Sequence, residues 1–192
     1  MESLIVSSGV VALAEIGDKT QLLAFILAAR FRRPIPIILG ILVATIVNHG
    51  LAGALGAWIT TAVRPDVLRW VLGLSFLGMA IWTMIPDEIE EEETRVARRY
   101  GVLGATLITF FLAEMGDKTQ LATIALAAHY GTPVLVVIGT TLGMLIADVP
   151  AVFVGDRLAD KIPMKLVHSI AAGIFAVLGI ATLLGAGTKL GI

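Results

Sequence analysis

Long apolar runs separated by short polar segments dominate the chain. Runs of about 20 apolar residues, the length that crosses a bilayer as a helix, predict six membrane spans, at residues 4–29, 35–60, 70–85, 102–128, 134–155 and 168–187. The third run is short and the first and fourth are long, which indicates tilted or interrupted helices. No segment between the runs is long enough for a second domain, so we expect a single membrane domain over residues 1–192.

The composition supports a membrane protein. The chain is 57% hydrophobic and 15% charged, whereas a soluble domain is about 45–50% apolar and about 25% charged. The chain has no cysteine, which excludes disulfides, thiol catalysis and a cysteine zinc site. Neither a nucleotide-binding fingerprint nor a Ser/His/Asp arrangement occurs, so we expect no ATP-driven transport, no enzyme and no nucleic-acid partner. The N-terminus carries no basic n-region, which argues against a cleaved signal peptide.

Basic residues are unevenly shared between the connecting loops. Three fall in the second loop and at the C-terminus, and nine fall in the first, third and fifth loops: Arg30, Arg32, Arg33, Arg95, Arg98, Arg99, Arg157, Lys161 and Lys165. Cytoplasmic loops are enriched in Lys and Arg. The distribution therefore predicts that the central loop is cytoplasmic and that both termini are outside.

A nine-residue segment recurs 99 residues further along the chain. Residues 14–22 read AEIGDKTQL and residues 113–121 read AEMGDKTQL, with eight of nine positions identical. We expect repeat one over residues 1–86 and repeat two over residues 100–192, joined by the cytoplasmic loop 87–99. Three spans per repeat make the halves enter the membrane from opposite sides, as in many secondary transporters. The predicted fold class is an all-α integral membrane protein with six transmembrane helices in two inverted three-helix repeats.

Each copy of the repeated segment places charged residues at membrane depth. Glu15 and Glu114 lie about halfway along their predicted spans, where a charged side chain costs at least ~2.5–3.5 kcal/mol. Gly17 and Gly116 are expected to permit a kink or unwinding. The spacing predicts that Glu and Asp share one helix face, with Lys placed to pair with Glu. Apolar packing gives no reason for the cost, and the carboxylates predicted to bind metal are Glu15, Asp18, Glu114 and Asp117.

Oxygen atoms dominate the side chains around these carboxylates. Such a cage suits Ca²⁺, Mg²⁺ and Mn²⁺. His49 adds the only nitrogen expected to bind metal, which favours Mn²⁺ over Ca²⁺. A packing role is the alternative for His49 and Asn48, and each motif lysine is expected to neutralise one carboxylate when the site is empty. Additional candidates for metal binding or proton coupling are Lys19, Thr20, Gln21, Asn48, His49, Lys118, Thr119, Gln120 and Asp148.

The two E-x-G-D-K-T segments resemble those of the GDT1 family. This family comprises the Golgi, chloroplast and bacterial divalent-cation exchangers of a calcium:cation antiporter superfamily, and the resemblance covers essentially the whole chain. It implies a transporter of manganese, calcium or both, driven by proton counter-flow, whose acidic motif residues are Glu15, Asp18, Glu114 and Asp117. The N-terminal targeting extension of eukaryotic members is missing, which implies a bacterial plasma-membrane form.

The leading functional prediction is export of Mn²⁺, of Ca²⁺ or of both from the cytoplasm by cation/proton exchange. When the cation leaves, crowded and poorly hydrated carboxylates repel one another, so protons are expected to replace it. No resident cofactor is expected, and the partners are the divalent metal ion and the lipid bilayer. Two alternatives stay open: an exporter of small or basic amino acids on a similar six-helix plan, and a membrane assembly factor without transport activity.

Overall fold

The fold is helical throughout the part of the chain that the computed structural model describes, residues 1–85, 100–154 and 164–185. These residues form eight helices: α1 (Glu2–Glu15), α2 (Lys19–Phe31), α3 (Pro34–Ala62), α4 (Pro65–Trp82), α5 (Gly101–Glu114), α6 (Lys118–Tyr130), α7 (Pro133–Val154) and α8 (Met164–Leu183). The predicted all-α class is confirmed within these ranges. The predicted cytoplasmic loop, residues 87–99, lies outside them.

Three of the described helices are long and apolar enough to cross a membrane: Pro34–Ala62, Pro65–Trp82 and Pro133–Phe153. They correspond to the predicted second, third and fifth spans. The first and fourth predicted spans are instead each divided into two helices of 13 or 14 residues. Their unusual length therefore reflects interruption. The number of six spans and the inversion of the repeats remain predictions.

The 99-residue repeat extends to the helix boundaries. Each of the helices α1 to α4 begins 99 residues before its counterpart among α5 to α8. Pro34 opens α3 and Pro133 opens α7, and proline suits the first helical position because its φ is already helical and the missing N–H has no partner there. The preceding helices both end in left-handed residues, Arg32 with φ 51° and Gly131 with φ 62°. Matching local signals in the two halves thus produce matching elements.

The helices of one repeat pack against those of the other. The most extensive contacts join α1 to α7, and α3 packs on α5. A Cβ atom on Gly139 of α7 would lie 2.6 Å from the Leu4 carbonyl oxygen, and one on Gly40 of α3 would lie 3.1 Å from the Leu103 carbonyl oxygen. These two contacts are related by the same 99-residue offset. The broken helices are therefore held closely against the long helices of the opposite repeat.

Apolar side chains cover much of the exterior while several charged ones are buried. The exposed fractions of Trp58, Trp70 and Ile81 are 63%, 54% and 70%. By contrast, Glu15 and Glu114 are fully buried. An apolar exterior with ionisable residues facing the bundle interior is typical of proteins embedded in lipid.

Candidate cation site at two helix breaks

Both copies of the repeated motif lie where one helix ends and another begins. Helix α1 ends at Glu15 and α2 begins at Lys19. Between them Gly17 has φ 84°, and the equivalent Gly116 has φ 77°. Glycine adopts this left-handed conformation without the steric cost that a Cβ would impose. The interruption predicted at the two glycines is therefore confirmed.

The prediction that Glu and Asp of one motif share a helix face is wrong, because the helix stops between them. Asp18 instead caps the N-terminus of α2, with Oδ1 accepting a hydrogen bond from the Lys19 backbone N–H at 2.8 Å. Asp117 caps α6, with Oδ2 accepting a hydrogen bond from the Thr119 backbone N–H at 3.5 Å. A carboxylate at this position satisfies a free backbone donor and complements the helix dipole.

Three carboxylates from the two motifs meet in the interior. One oxygen from each of Glu15, Glu114 and Asp117 lies within 4.8 Å of the others, and all three residues are buried. The Thr20 hydroxyl donates to Glu15 Oε2, and the Thr119 hydroxyl donates to Glu114 Oε2 at 3.1 Å. Opposite oxygen ligands of a bound Ca²⁺ are about 5 Å apart. The three oxygens are thus close enough to contact one divalent cation.

The fourth predicted carboxylate has a different environment. Lys118 is 2% exposed, and its Nζ lies 3.5 Å from Asp18 Oδ1. This ion pair joins the motif of repeat two to the motif of repeat one, whereas the sequence spacing indicated a pairing within one motif. Lys19, at the equivalent position of repeat one, is only half-buried.

The motif glutamines accept hydrogen bonds from the backbone at both helix breaks. Gln21 Oε1 accepts a hydrogen bond from the Gly17 N–H at 2.9 Å, and Gln120 Oε1 accepts from the Gly116 N–H at 2.8 Å. The Gln21 amide also donates to the Ala147 carbonyl of α7 at 3.0 Å. The glutamine oxygens thus satisfy a backbone N–H at each of the two breaks. The structure therefore places both glutamines as supports of the break, and metal binding by their oxygens remains a prediction.

Residues of the long helices border the carboxylate cluster. His49 Nε2 lies 3.8 Å from Glu114 Oε2, and both side chains are fully buried. Asp148 is fully buried and interacts electrostatically with Glu114. Neither ring nitrogen of His49 and neither oxygen of Asp148 has a hydrogen-bond partner among the described residues. Asn48 differs, because its amide donates to the Phe111 carbonyl at 3.0 Å and its Oδ1 accepts from the Gln120 amide at 3.5 Å.

His168 lies at the first helix break, although no pattern in the sequence indicated it. His168 of α8 lies with Nε2 2.9 Å from the Ile16 carbonyl oxygen, so the ring N–H donates to a carbonyl that the interruption of the helix leaves without its helical partner. His168 lies at the edge of the predicted sixth span, and Arg69 stands at the equivalent position of repeat one. No sequence pattern pointed to this contact, which depends on how α8 packs.

Replacement of the break glycine is expected to destabilise the protein. Gly116→Ala puts a Cβ on a residue with φ 77°, although no atom outside its chain neighbours lies within 4 Å of the new carbon. The left-handed backbone alone costs roughly 1–2 kcal/mol for alanine, so the apparent melting temperature in detergent should fall by a few degrees. The matched control is Gly9→Ala, an open position within α1. An equal effect in the two variants would contradict the role of the glycine in the break.

An apolar helical bundle with carboxylates buried at two helix breaks is typical of a membrane protein that binds or transports a cation. The sequence matches the family described as "Divalent cation/proton antiporter GDT1" over residues 3–91 and 102–190. The chain therefore belongs to the GDT1 family, and its function is cation transport. The resemblance seen in the two motifs is confirmed.

Relatives from bacteria and plants match most of the chain. A protein of Vibrio cholerae named "Putative manganese exporter" is 50% identical over 183 residues, which cover 95% of this chain and 90% of the relative. The rice GDT1-like protein 3 is 31% identical over 201 residues, covering 91% and 71%. The Arabidopsis thaliana GDT1-like protein 5 is 29% identical over 210 residues, covering 90% and 91%. No solved structure matches the chain significantly.

Proposed function

We propose that this protein exports Mn²⁺ from the cytoplasm in exchange for protons, with Ca²⁺ as a weaker substrate. The observation that carries the proposal is the meeting of Glu15, Glu114 and Asp117 within 4.8 Å in the buried interior. Because the three carboxylates come from both motifs, one cation bound there would touch both repeats. A cation bound at the junction of two repeats is the usual basis of alternating access in secondary transporters.

His49 supports the preference for Mn²⁺. Its Nε2 lies 3.8 Å from Glu114 Oε2, at the edge of the carboxylate cluster. Ca²⁺ takes oxygen ligands, whereas imidazole nitrogen suits transition metals. A small approach of His49 would add one nitrogen to the three carboxylates, which favours Mn²⁺. The Vibrio cholerae relative named as a manganese exporter supports the same choice.

The proposed orientation places the loop 87–99 in the cytoplasm and both termini outside, in a bacterial plasma membrane. The proposed architecture has six spans in two inverted repeats, 1–86 and 100–192. The charge distribution of the connecting loops supports the orientation. The 99-residue periodicity of the helix boundaries and of the contacts between repeats supports the architecture.

The test is metal uptake by proteoliposomes that contain the purified protein. We expect uptake of Mn²⁺ to exceed that of Ca²⁺ and no uptake of lysine or alanine, the probes for the amino-acid alternative. His49→Asn should lower Mn²⁺ uptake at least tenfold while leaving Ca²⁺ uptake within about twofold, because an oxygen replaces the nitrogen. His129→Asn is the matched control, since His129 contacts Phe76 and Tyr130 at the end of α6.

Two results would contradict the proposal. Amino-acid uptake without metal uptake would favour the alternative transporter, and no uptake of any probe by a folded protein would favour the assembly factor. Equal loss of Mn²⁺ uptake and Ca²⁺ uptake in His49→Asn would remove His49 as the source of selectivity.

The proposed orientation is tested with a single cysteine, Arg64→Cys. An impermeant thiol reagent added to intact cells should label this cysteine, because the loop that contains it is proposed to lie outside.

A further inference from the structure

An apolar groove with a volume of about 360 Å³ runs between α4 and α6 on the outside of the bundle. Residues of α4 that are three or four positions apart, and so share one helix face, form one wall: Val71, Ser75, Gly78 and Trp82. Leu121 of α6 lies in the opposite wall. Because Val71 is 48% exposed and Leu121 is 43% exposed, the groove opens to the exterior, where a membrane protein meets lipid.

The lining of the groove suits a hydrocarbon chain. Ser75 and Trp82 carry the O–H and N–H groups of the lining side chains. The Ser75 hydroxyl donates to the Val71 carbonyl of its own helix at 2.7 Å, so it needs no further partner. A Cβ atom on Gly78 would meet no atom within 4 Å. The middle of the groove therefore offers free space between apolar walls.

The length and the position of the groove match one leaflet of a bilayer. Val71 and Trp82 are about 16 Å apart along the helix axis, and the hydrocarbon of one leaflet is about 15 Å deep. Trp58 and Trp70, exposed at 63% and 54%, are the sequence neighbours of lining residues at the upper end. Tryptophan is enriched at the membrane–water interface, so this end of the groove lies at the level of the lipid headgroups.

A cationic side chain lies above this upper end. Arg64 is the exposed N-cap residue of α4, and it continues the lining stripe because it precedes Val71 by two helical turns. It makes no ion pair with the described residues, and the exposed Asp66, two positions further, faces another side of the helix. Lipid tails are all as apolar as the groove. The charge of Arg64 is therefore what selects between lipids, in favour of anionic headgroups.

We propose that the groove binds one acyl chain of an anionic phospholipid whose headgroup lies at Arg64. This site is separate from the carboxylate cluster, and the proposal goes beyond cation transport. The lipid would nevertheless contact α6, the helix that Asp117 caps at its N-terminus. With the orientation proposed above, the lipid belongs to the outer leaflet.

The experiment is a lipid titration of the purified full chain in detergent, followed by native mass spectrometry. The probes are phosphatidylglycerol and phosphatidylcholine with identical acyl chains. We expect one phosphatidylglycerol to bind each chain about fivefold more tightly than phosphatidylcholine, the preference that one arginine near an anionic headgroup supplies. Saturation with phosphatidylglycerol should also raise the apparent melting temperature, because the lipid binds only the folded protein.

Filling the groove should remove the site. Gly78→Leu places a side chain in the free space and should weaken the binding of both lipids by roughly tenfold, because the chain can no longer pack there. Ser75→Leu fills the same groove from the next turn and is the second variant if Gly78→Leu is not folded. Gly9→Leu is the matched control, since a Cβ on Gly9 also meets no atom within 4 Å. Its lipid binding should be unchanged.

Removing the charge should remove the preference while leaving the groove intact. In Arg64→Gln, phosphatidylglycerol should bind within about twofold of phosphatidylcholine. Arg33→Gln is the matched control, because Arg33 is the exposed N-cap residue of α3 and a proline likewise follows it. The preference of the unmodified protein should persist in this control.

The proposal is overturned if the unmodified protein binds both lipids equally, or if Gly78→Leu and Ser75→Leu leave the binding of phosphatidylglycerol unchanged. A dimer that retains no lipid and dissociates in Gly78→Leu would also overturn it and assign the groove to a second copy of the chain. None of these outcomes involves the metal. Phosphatidylglycerol binding by a protein that moves no Mn²⁺ would reject only the proposed transport, so the two failures are distinguishable.

Discussion

Glu15→Gln, Glu114→Gln and Asp117→Asn are each expected to reduce Mn²⁺ uptake in proteoliposomes to the level of protein-free vesicles. Each replacement removes one negative charge from three carboxylates that meet within 4.8 Å. The two carboxylates that remain attract a divalent ion too weakly to offset the cost of dehydrating that ion in a buried site. Asp18→Asn should also abolish transport, because it removes the partner that the structure shows for Lys118.

The three cluster variants Glu15→Gln, Glu114→Gln and Asp117→Asn should be at least as stably folded as the unmodified protein. An amide is easier to bury in a membrane protein than a carboxylate, and glutamine can still accept the hydrogen bond from Thr20 or Thr119. The apparent melting temperature in detergent should therefore be unchanged or higher. Glu2→Gln in the first turn of α1 is the control, since Glu2 is exposed. Unaltered uptake in any two of the cluster variants would move the cation site elsewhere.

Metal transport is expected to be coupled to protons in the opposite direction. The carboxylates of Glu15, Glu114 and Asp117 repel one another when no cation lies between them, and burial disfavours their charged forms. Protons therefore compete with the metal for the same oxygens, as a coupled set rather than at one residue. The dissociation constant for Mn²⁺ should rise as pH falls, by roughly tenfold per pH unit for each proton that binding displaces.

The measurement is Mn²⁺ uptake into inside-out vesicles with an acidic lumen and a lumenal pH dye. Uptake should accelerate with the pH gradient, and the lumen should become more alkaline as Mn²⁺ enters. Vesicles that carry Glu114→Gln provide the control for passive leak of protons and metal. Metal uptake without proton movement at every imposed gradient would make the protein a uniporter and reject the exchange mechanism.

Much of the helical architecture could be predicted from periodicities in the sequence. The apolar runs that include residues 35–60 and 134–155 became α3 and α7, with boundaries within two residues. Proline at the start of each of these helices is a local signal in the sequence, and so is Gly131 before the second of them. The interruption at Gly17 and Gly116 was likewise predictable, because only glycine adopts that backbone cheaply.

The geometry within each motif was less predictable. The i, i+3, i+4 spacing implied one helix face because it assumed a continuous helix. Once the helix stops at Glu15, Asp18 becomes the cap of the next helix, and spacing along the sequence no longer fixes the direction of the side chain. The contact between His168 and Ile16 was unpredictable for a related reason, since it joins residues that are 152 positions apart.

The sequence by itself determined that this protein is helical and apolar, that it contains two copies of one motif, and that four carboxylates and two lysines lie within apolar surroundings. These properties follow from composition, periodicity and local backbone preference. Only the tertiary structure decided which carboxylates meet, that Lys118 is buried and pairs with Asp18 of the other repeat, and that the equivalent Lys19 is only half-buried. Two nearly identical segments cannot encode different environments locally, so this asymmetry arises from how the long helices and α8 pack around them.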